Sequence, residues 1–172
     1  TADITLHKST DGGVTWTSTR VNQDTPGNGK FQLQSTINVD DKGGVNIVYY
    51  DTRNTPTNDS SQIYISRSED GGNTWNDILV SDHKFLQSQI PGTATGYQGD
   101  YIGISSAYGV LFPFWAENTT GSYNAWTASV RVSSYPLNSF NKTTPAAGVT
   151  IQTLPNNSTV YNFNWDTAAS SA

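Results

Sequence analysis

The octet Ser9-Thr10-Asp11-Gly12-Gly13-Val14-Thr15-Trp16 returns almost unchanged as Ser68-Glu69-Asp70-Gly71-Gly72-Asn73-Thr74-Trp75, 59 positions further along the chain. Six of its eight positions are fixed, Ser-x-Asp-Gly-Gly-x-Thr-Trp, so the pair is an internal repeat and points to a fold built from repeated units. The chemistry of the octet is that of a hairpin turn. Paired glycines take positive φ without steric cost. An Asp side chain accepts hydrogen bonds from backbone N–H groups just downstream, the Asx-turn habit. Thr and Trp then open a strand, where both are favoured.

Alternation of apolar and polar residues places strands on either side of each octet. Residues 3–9 and 14–22 flank the first copy. A longer unit follows: strands at 34–39, 45–50, 62–67 and 75–80, with Asp40-Asp41-Lys42-Gly43-Gly44 as a tight turn and the second octet between the last two strands. Residues 81–98 form a long connection. Residues 100–105, 110–116 and 124–132 give a third group, in which Pro113 argues for an edge position or a bulge. No amphipathic helix pattern occurs anywhere, so the fold class is all-β. Strands at 149–154 and 160–165 are expected in a Pro/Ser/Asn-punctuated tail from residue 133 onward, too short to bury a core by itself.

Both octets resemble the Asp-box of the sialidase-like (BNR-repeat) β-propellers, Ser-x-Asp-x-Gly-x-Thr-Trp, at every fixed position. The matching residues are Ser9, Asp11, Gly13, Thr15 and Trp16, then Ser68, Asp70, Gly72, Thr74 and Trp75. Tyr50-Asp51-Thr52-Arg53-Asn54 and Gly99-Asp100-Tyr101-Ile102-Gly103-Ile104 are similar to other segments of that family. The resemblance covers residues 1–132. It implies four-stranded antiparallel propeller blades, with the box linking the third and fourth strands of a blade at the periphery, in a structural role. The tail, residues 133–172, is similar to the opening of immunoglobulin-like modules appended to secreted bacterial proteins. Strand groups of two, four and three make about nine in all, whereas a propeller ring typically needs 4–8 blades of four strands. The chain is therefore expected to be a fragment of a longer polypeptide, or to be completed by self-association through strand exchange. A smaller sandwich is the third option.

Composition limits the partners. The 172-residue chain carries a formal charge of −5 with only 13% charged residues, which disfavours nucleic acid and anionic membrane surfaces. No apolar run approaches the ~20 residues of a membrane-spanning helix. The chain has no cysteine, which rules out disulfides and thiolate metal sites. It has no methionine either, which points to a processed product or a fragment. The Thr/Asn/Tyr/Trp-rich, Lys-poor balance looks like that of an exported bacterial surface protein.

In catalytic members of the family, three arginines grip the substrate carboxylate, a tyrosine–glutamate pair is the nucleophile and an aspartate is the acid/base. The arginines here are Arg20, Arg53, Arg67 and Arg131, and the family's Arg-Ile-Pro motif does not occur. Arg67, next to a box, reads as peripheral. Arg53, Asp100, Tyr101 and Glu117 are the candidate ligand-binding residues. Each has a plainer alternative: an ion pair for Arg53, a backbone cap for Asp100, a solvated loop position for Glu117. Tyr97, Tyr101, Tyr123 and Trp126 lie in or beside loops, where sugars could stack. Glu69 reads as solvent-facing. His7 and His83 show no ligand pattern, the Asp40-Asp41 turn reads as a turn rather than a calcium loop, and neither a metal nor a cofactor is expected. Candidate glycosylation positions are the sequon asparagines Asn58, Asn118, Asn141, Asn156 and Asn157, and Thr167 in Asp166-Thr167-Ala168. The resulting expectation is a non-catalytic extracellular β-repeat protein that makes structural, protein or glycan contacts. A fragment of a sialidase-like glycoside hydrolase is the alternative.

Overall fold

The computed structural model describes residues 2–132, and the backbone of two short strands beyond them. The expected tail strand at 149–154, most of that at 160–165, and the glycosylation candidates Asn141, Asn156, Asn157 and Thr167 lie outside the described residues. The chain divides into two compact units, Thr1–Ser134 and Tyr135–Ala172. Every regular element among the described residues is a β-strand, and all strand-to-strand pairing is antiparallel.

The first unit holds three sheets. The first pairs β1 (Thr5–Lys8) with β2 (Thr17–Arg20) across the first octet. The second is a meander of β3 (Gln32–Val39), β4 (Val45–Asp51), β5 (Ser60–Ser68) and β6 (Asn76–Leu79), with the second octet between β5 and β6. A short strand inside the long connection, β7 (Phe85–Leu86), pairs with the start of β5. The third sheet has β9 (Val110–Glu117) at its centre, β8 (Gly103–Ala107) on one side, and β10 (Asn124–Thr127) followed by β11 (Val130–Arg131) on the other. In the second unit β12 (Lys142–Thr144) pairs with β13 (Asn164–Trp165). The sheets do not close into a barrel or ring among the described residues.

Pro113 is therefore not at an edge. It lies in β9, opposite Ile104 of β8. The Thr127 hydroxyl bonds the Pro113 carbonyl at 2.9 Å, so the backbone polar groups of Pro113 face the β10–β11 side. The ladder is interrupted there, between Thr127 and Val130, and the N–H that proline lacks is not called for.

The middle sheet is buried on both faces. Along β4, Ile47 and Tyr49 point one way and Val48 and Tyr50 the other; along β5, Tyr64 opposes Ile63 and Ile65. Ile47, Tyr49 and Tyr64 join Trp75 and pack with Ile4 and Val21 of the first sheet's segments. Tyr49 and Tyr64 lie opposite each other across the strands with rings stacked at 6.4 Å. Val48, Tyr50, Ile63 and Ile65 pack with Phe85 and with Ile102, Leu111 and Trp115 of the third sheet's segments.

The two octets fold alike. In each, the Asp carboxylate accepts from the Thr backbone N–H at 2.9 Å and from the Thr hydroxyl, while the Ser hydroxyl accepts from the second Gly N–H at 2.8 Å. The Asp11 carboxyl is held down to about 2, first by the Thr15 hydroxyl and then by the Thr15 N–H. Asp70 is held far below the ordinary carboxylate range by the equivalent bonds from Thr74. Gly13 and Gly72 take φ of 92° and 88°, which a side chain resists.

Their surroundings differ. At the second octet, a Cβ on Gly72 would meet Leu6 of β1 at 2.5 Å, and Lys8 Nζ reaches Gly71 O at 3.0 Å and Asn73 Oδ1 at 2.9 Å. Among the described residues only Trp16 would meet a Cβ on Gly13. Trp75 is only 7% exposed whereas Trp16 is 61% exposed. Trp75→Ala is accordingly expected to cost about 3–5 kcal/mol, in the range of buried aromatic truncations. Trp16→Ala is expected to cost about 0.5 kcal/mol or less. Urea unfolding of the two variants checks the difference.

Candidate functional site

The sequence-derived candidates fall into three separate places. Arg53 follows β4 and lies in a network between the first and second sheets. Its Nε donates to Asp51 Oδ2 at 2.8 Å, its Nη1 to Asp77 Oδ2 at 2.5 Å and its Nη2 to the Tyr49 hydroxyl at 3.2 Å. The guanidinium lies 4.2 Å over the Tyr64 ring. Asp24 lies 3.9 Å away and pairs with Arg20, which also holds Asp3. Each nitrogen of the Arg53 guanidinium is thus engaged within the chain and one face lies over Tyr64, as the ion-pair alternative describes. Because Asp51 and Asp77 are buried against it, Arg53→Met leaves two carboxylates short of their cation. A loss of about 3–5 kcal/mol in unfolding free energy is expected, read by chemical denaturation.

Glu117 is not a solvated loop residue. It ends β9, is buried, and bonds His83 Nε2 at 2.6 Å and Trp115 Nε1 at 3.3 Å. Its partners are thus a histidine and a tryptophan. His83 Nδ1 meets Asp82 at 2.6 Å, and its ring lies 5.3 Å from Trp126 and 6.2 Å from Phe85. His83 belongs to the connection leaving β6 and Glu117 to the third sheet, so this contact ties those two parts together. Sequence offered no signal for it, because the partners are 34 positions apart and match no motif.

The hydrogen bond to Asp82, then that to Glu117, raises the His83 pKa above its ordinary 6.5. A raised pKa stabilises the fold fully below the unfolded-state value and loses that contribution as pH rises through the folded-state value. Stability is expected to be higher at pH 5.5 than at pH 8.5 by an increment that His83→Gln removes. Urea midpoints at the two pH values measure it.

Asp100 and Tyr101 lie at the third place. Asp100 caps no backbone; its Oδ2 accepts from the Tyr97 hydroxyl at 2.5 Å, which raises the Tyr97 pKa. The Tyr101 side chain is 87% exposed. Turn 96–100 faces Leu33, Gln34 and Gln87 across a cleft of about 480 Å³. Gln34 is in the left-handed region, φ 50°, inside a strand. The cause is a bulge: Leu33 and Thr36 of β3 pair with Tyr50 and Val48 of β4, so β3 carries one extra residue. The bulge aims the Gln34 amide at the turn, where Nε2 donates to Gly99 O at 2.5 Å. A run reading Gln34-Ser35-Thr36 gave no hint of it.

Arg53, Glu117 and Asp100 therefore do not converge. The other arginines are also placed apart: Arg67 is buried on Asp40 and reaches the exposed Glu69, and Arg131 is exposed on β11. Arg67 is thus an interior residue rather than a peripheral one. Asp40 serves Arg67, Asn46 and its own turn. No cluster of three or more His, Asp or Glu suited to a metal occurs among the described residues. Of the further stacking candidates, the Tyr123 hydroxyl is bound to Ser88 O, and Trp126 is half-buried beside His83. Of the described sequon residues, Asn58 donates to Gly29 O at 2.8 Å and Asn118 donates to Ser88.

Comparison of the chain with protein-family models, with curated proteins and with solved structures gives no match. The class that can be stated is an all-β fold of antiparallel sheets.

Proposed function

We propose that this chain is a non-catalytic, exported β-repeat module of the sialidase-like propeller type, and that its function is assembly: copies complete one another by strand addition. The propeller part is supported by two Asp-box octets, each between consecutive paired strands, and by a middle four-stranded meander flanked by partial sheets. The export part is supported by composition and by the sequons.

Two observations carry assembly: an open strand edge and an uncovered apolar strip. Val21 N donates to Ile4 O, so in the alternating β1–β2 ladder Thr5 and His7 turn their backbone groups to the other edge. That edge pairs with no strand among the described residues. Ile37 and Val39 of β3 pair with Ile47 and Val45, which puts them on the face of the middle sheet that β1 and β2 partly cover. They are nonetheless 52% and 59% exposed. A strand laid along β1 would satisfy the edge, the mode of β-augmentation, and an apolar partner surface would cover Ile37 and Val39. At the other end, Phe112 and Phe114 are exposed on the outer face of β9. Association through two different surfaces is head-to-tail, giving a ring or a filament according to whether the rotation closes.

Sedimentation velocity across a concentration series tests this. The wild-type chain is expected to grow in mass with concentration. Thr5→Pro deletes an edge N–H while leaving the β2 pairing intact, and is expected to weaken association about tenfold or more; Ile37→Lys is expected to do the same by a second route. A monomer throughout, or association indifferent to both substitutions, overturns the proposal.

A further inference from the structure

The cleft between β3 and turn 96–100 takes no part in the edge described above, and its chemistry is specific. Its polar groups are carboxamides and a carboxylate. Gln34 commits one N–H to Gly99 O and keeps Oε1 and its second N–H. The Gln98 amide has no side-chain partner among the described residues, and Asp100 commits one oxygen to Tyr97. Leu33 supplies an apolar lining and Tyr97 an aromatic ring. Among the described residues no lysine, arginine or histidine lines the cleft, and Asp100 supplies its formal charge.

We infer that this cleft binds an uncharged saccharide. A sugar hydroxyl donates and accepts at once, which suits a carboxamide that does the same and a carboxylate that accepts. The C–H face of a pyranose packs on an aromatic or aliphatic surface, here the Tyr97 ring and Leu33, with Tyr101 at hand beside the turn. A volume of about 480 Å³ lies within the ordinary range of small-molecule sites. An anionic sugar would meet Asp100 with no cation to offset it. Strain is stored at the site as well: Gln34 occupies a backbone region that a non-glycine residue seldom takes, and the bulge that forces it there places its amide at the cleft.

The test is a titration of the ¹⁵N-labelled full chain with lactose, cellobiose, mannobiose and N,N′-diacetylchitobiose, with 3′-sialyllactose as the charged counterpart, followed by backbone amide shifts. At least one neutral disaccharide is expected to move the amides of Gln34, Gln98 and Asp100 at about millimolar concentration. Gln98→Ala and Tyr97→Ala, both at residues that line the cleft, are each expected to weaken binding about fivefold or more. No shift at these amides with any of the four neutral sugars up to about 20 mM overturns the inference. So does tighter binding of sialyllactose, or affinity unchanged in both variants. Binding is scored on the cleft amides and association on sedimented mass, so either reading can fail without the other.

Discussion

Burial of β4 and β5 on both faces is the constraint on which the rest of the first unit depends. A sheet with one dry face needs one partner, whereas this one needs two, and the two flanking sheets are what it packs against. The strict two-residue alternation decides which side chain serves which neighbour. Tyr49 goes to the first sheet's core and Tyr50 to the third's, so a one-residue slip of β4 would exchange the two cores and match neither.

Polar interactions follow the same division. Between the first and second sheets, Arg53 and Arg20 gather Asp3, Asp24, Asp51 and Asp77 into one connected network. Between the second sheet's connection and the third sheet's segments, the His83–Glu117 contact is joined by bonds from Asn118 and Tyr123 to Ser88. The first seam is built from arginines and aspartates. The second includes a histidine, whose charge solution conditions can change.

Much of this was legible in sequence, and what was not has a physical reason. The octets announced their turns because Asp, Gly and Thr act on groups within a few residues of themselves. The strands came from alternation, which is equally local, and the observed grouping into a pair, a four-stranded meander and a broken three-stranded sheet follows it closely. Pro113 was read as an edge or bulge signal because a missing N–H usually needs one; the interruption between β10 and β11 meets that need inside the sheet. Arg53, Glu117 and His83 were harder, since their partners are chosen by how sheets stack, and one-dimensional spacing carries no record of stacking. Glu117 looked solvated because it ends a strand before a polar loop, yet His83 of the connection after β6 bonds it. Gln34 was invisible for a related reason: a bulge is a difference in length between two strands, and neither strand alone displays it.

The octet has a consequence for how the chain reaches this fold. The bonds that its Asp and Ser side chains accept from the backbone join residues no more than four apart, and they recur in a copy covered by Leu6 and in a more exposed one. The turn thus owes nothing to its neighbours and can form before any sheet stacks. The two strands it joins pair with each other, so the loop closed in that step is short. A chain assembled from such self-starting hairpins would fold sheet by sheet as it emerges from the ribosome, with stacking as the late step that makes the whole cooperative.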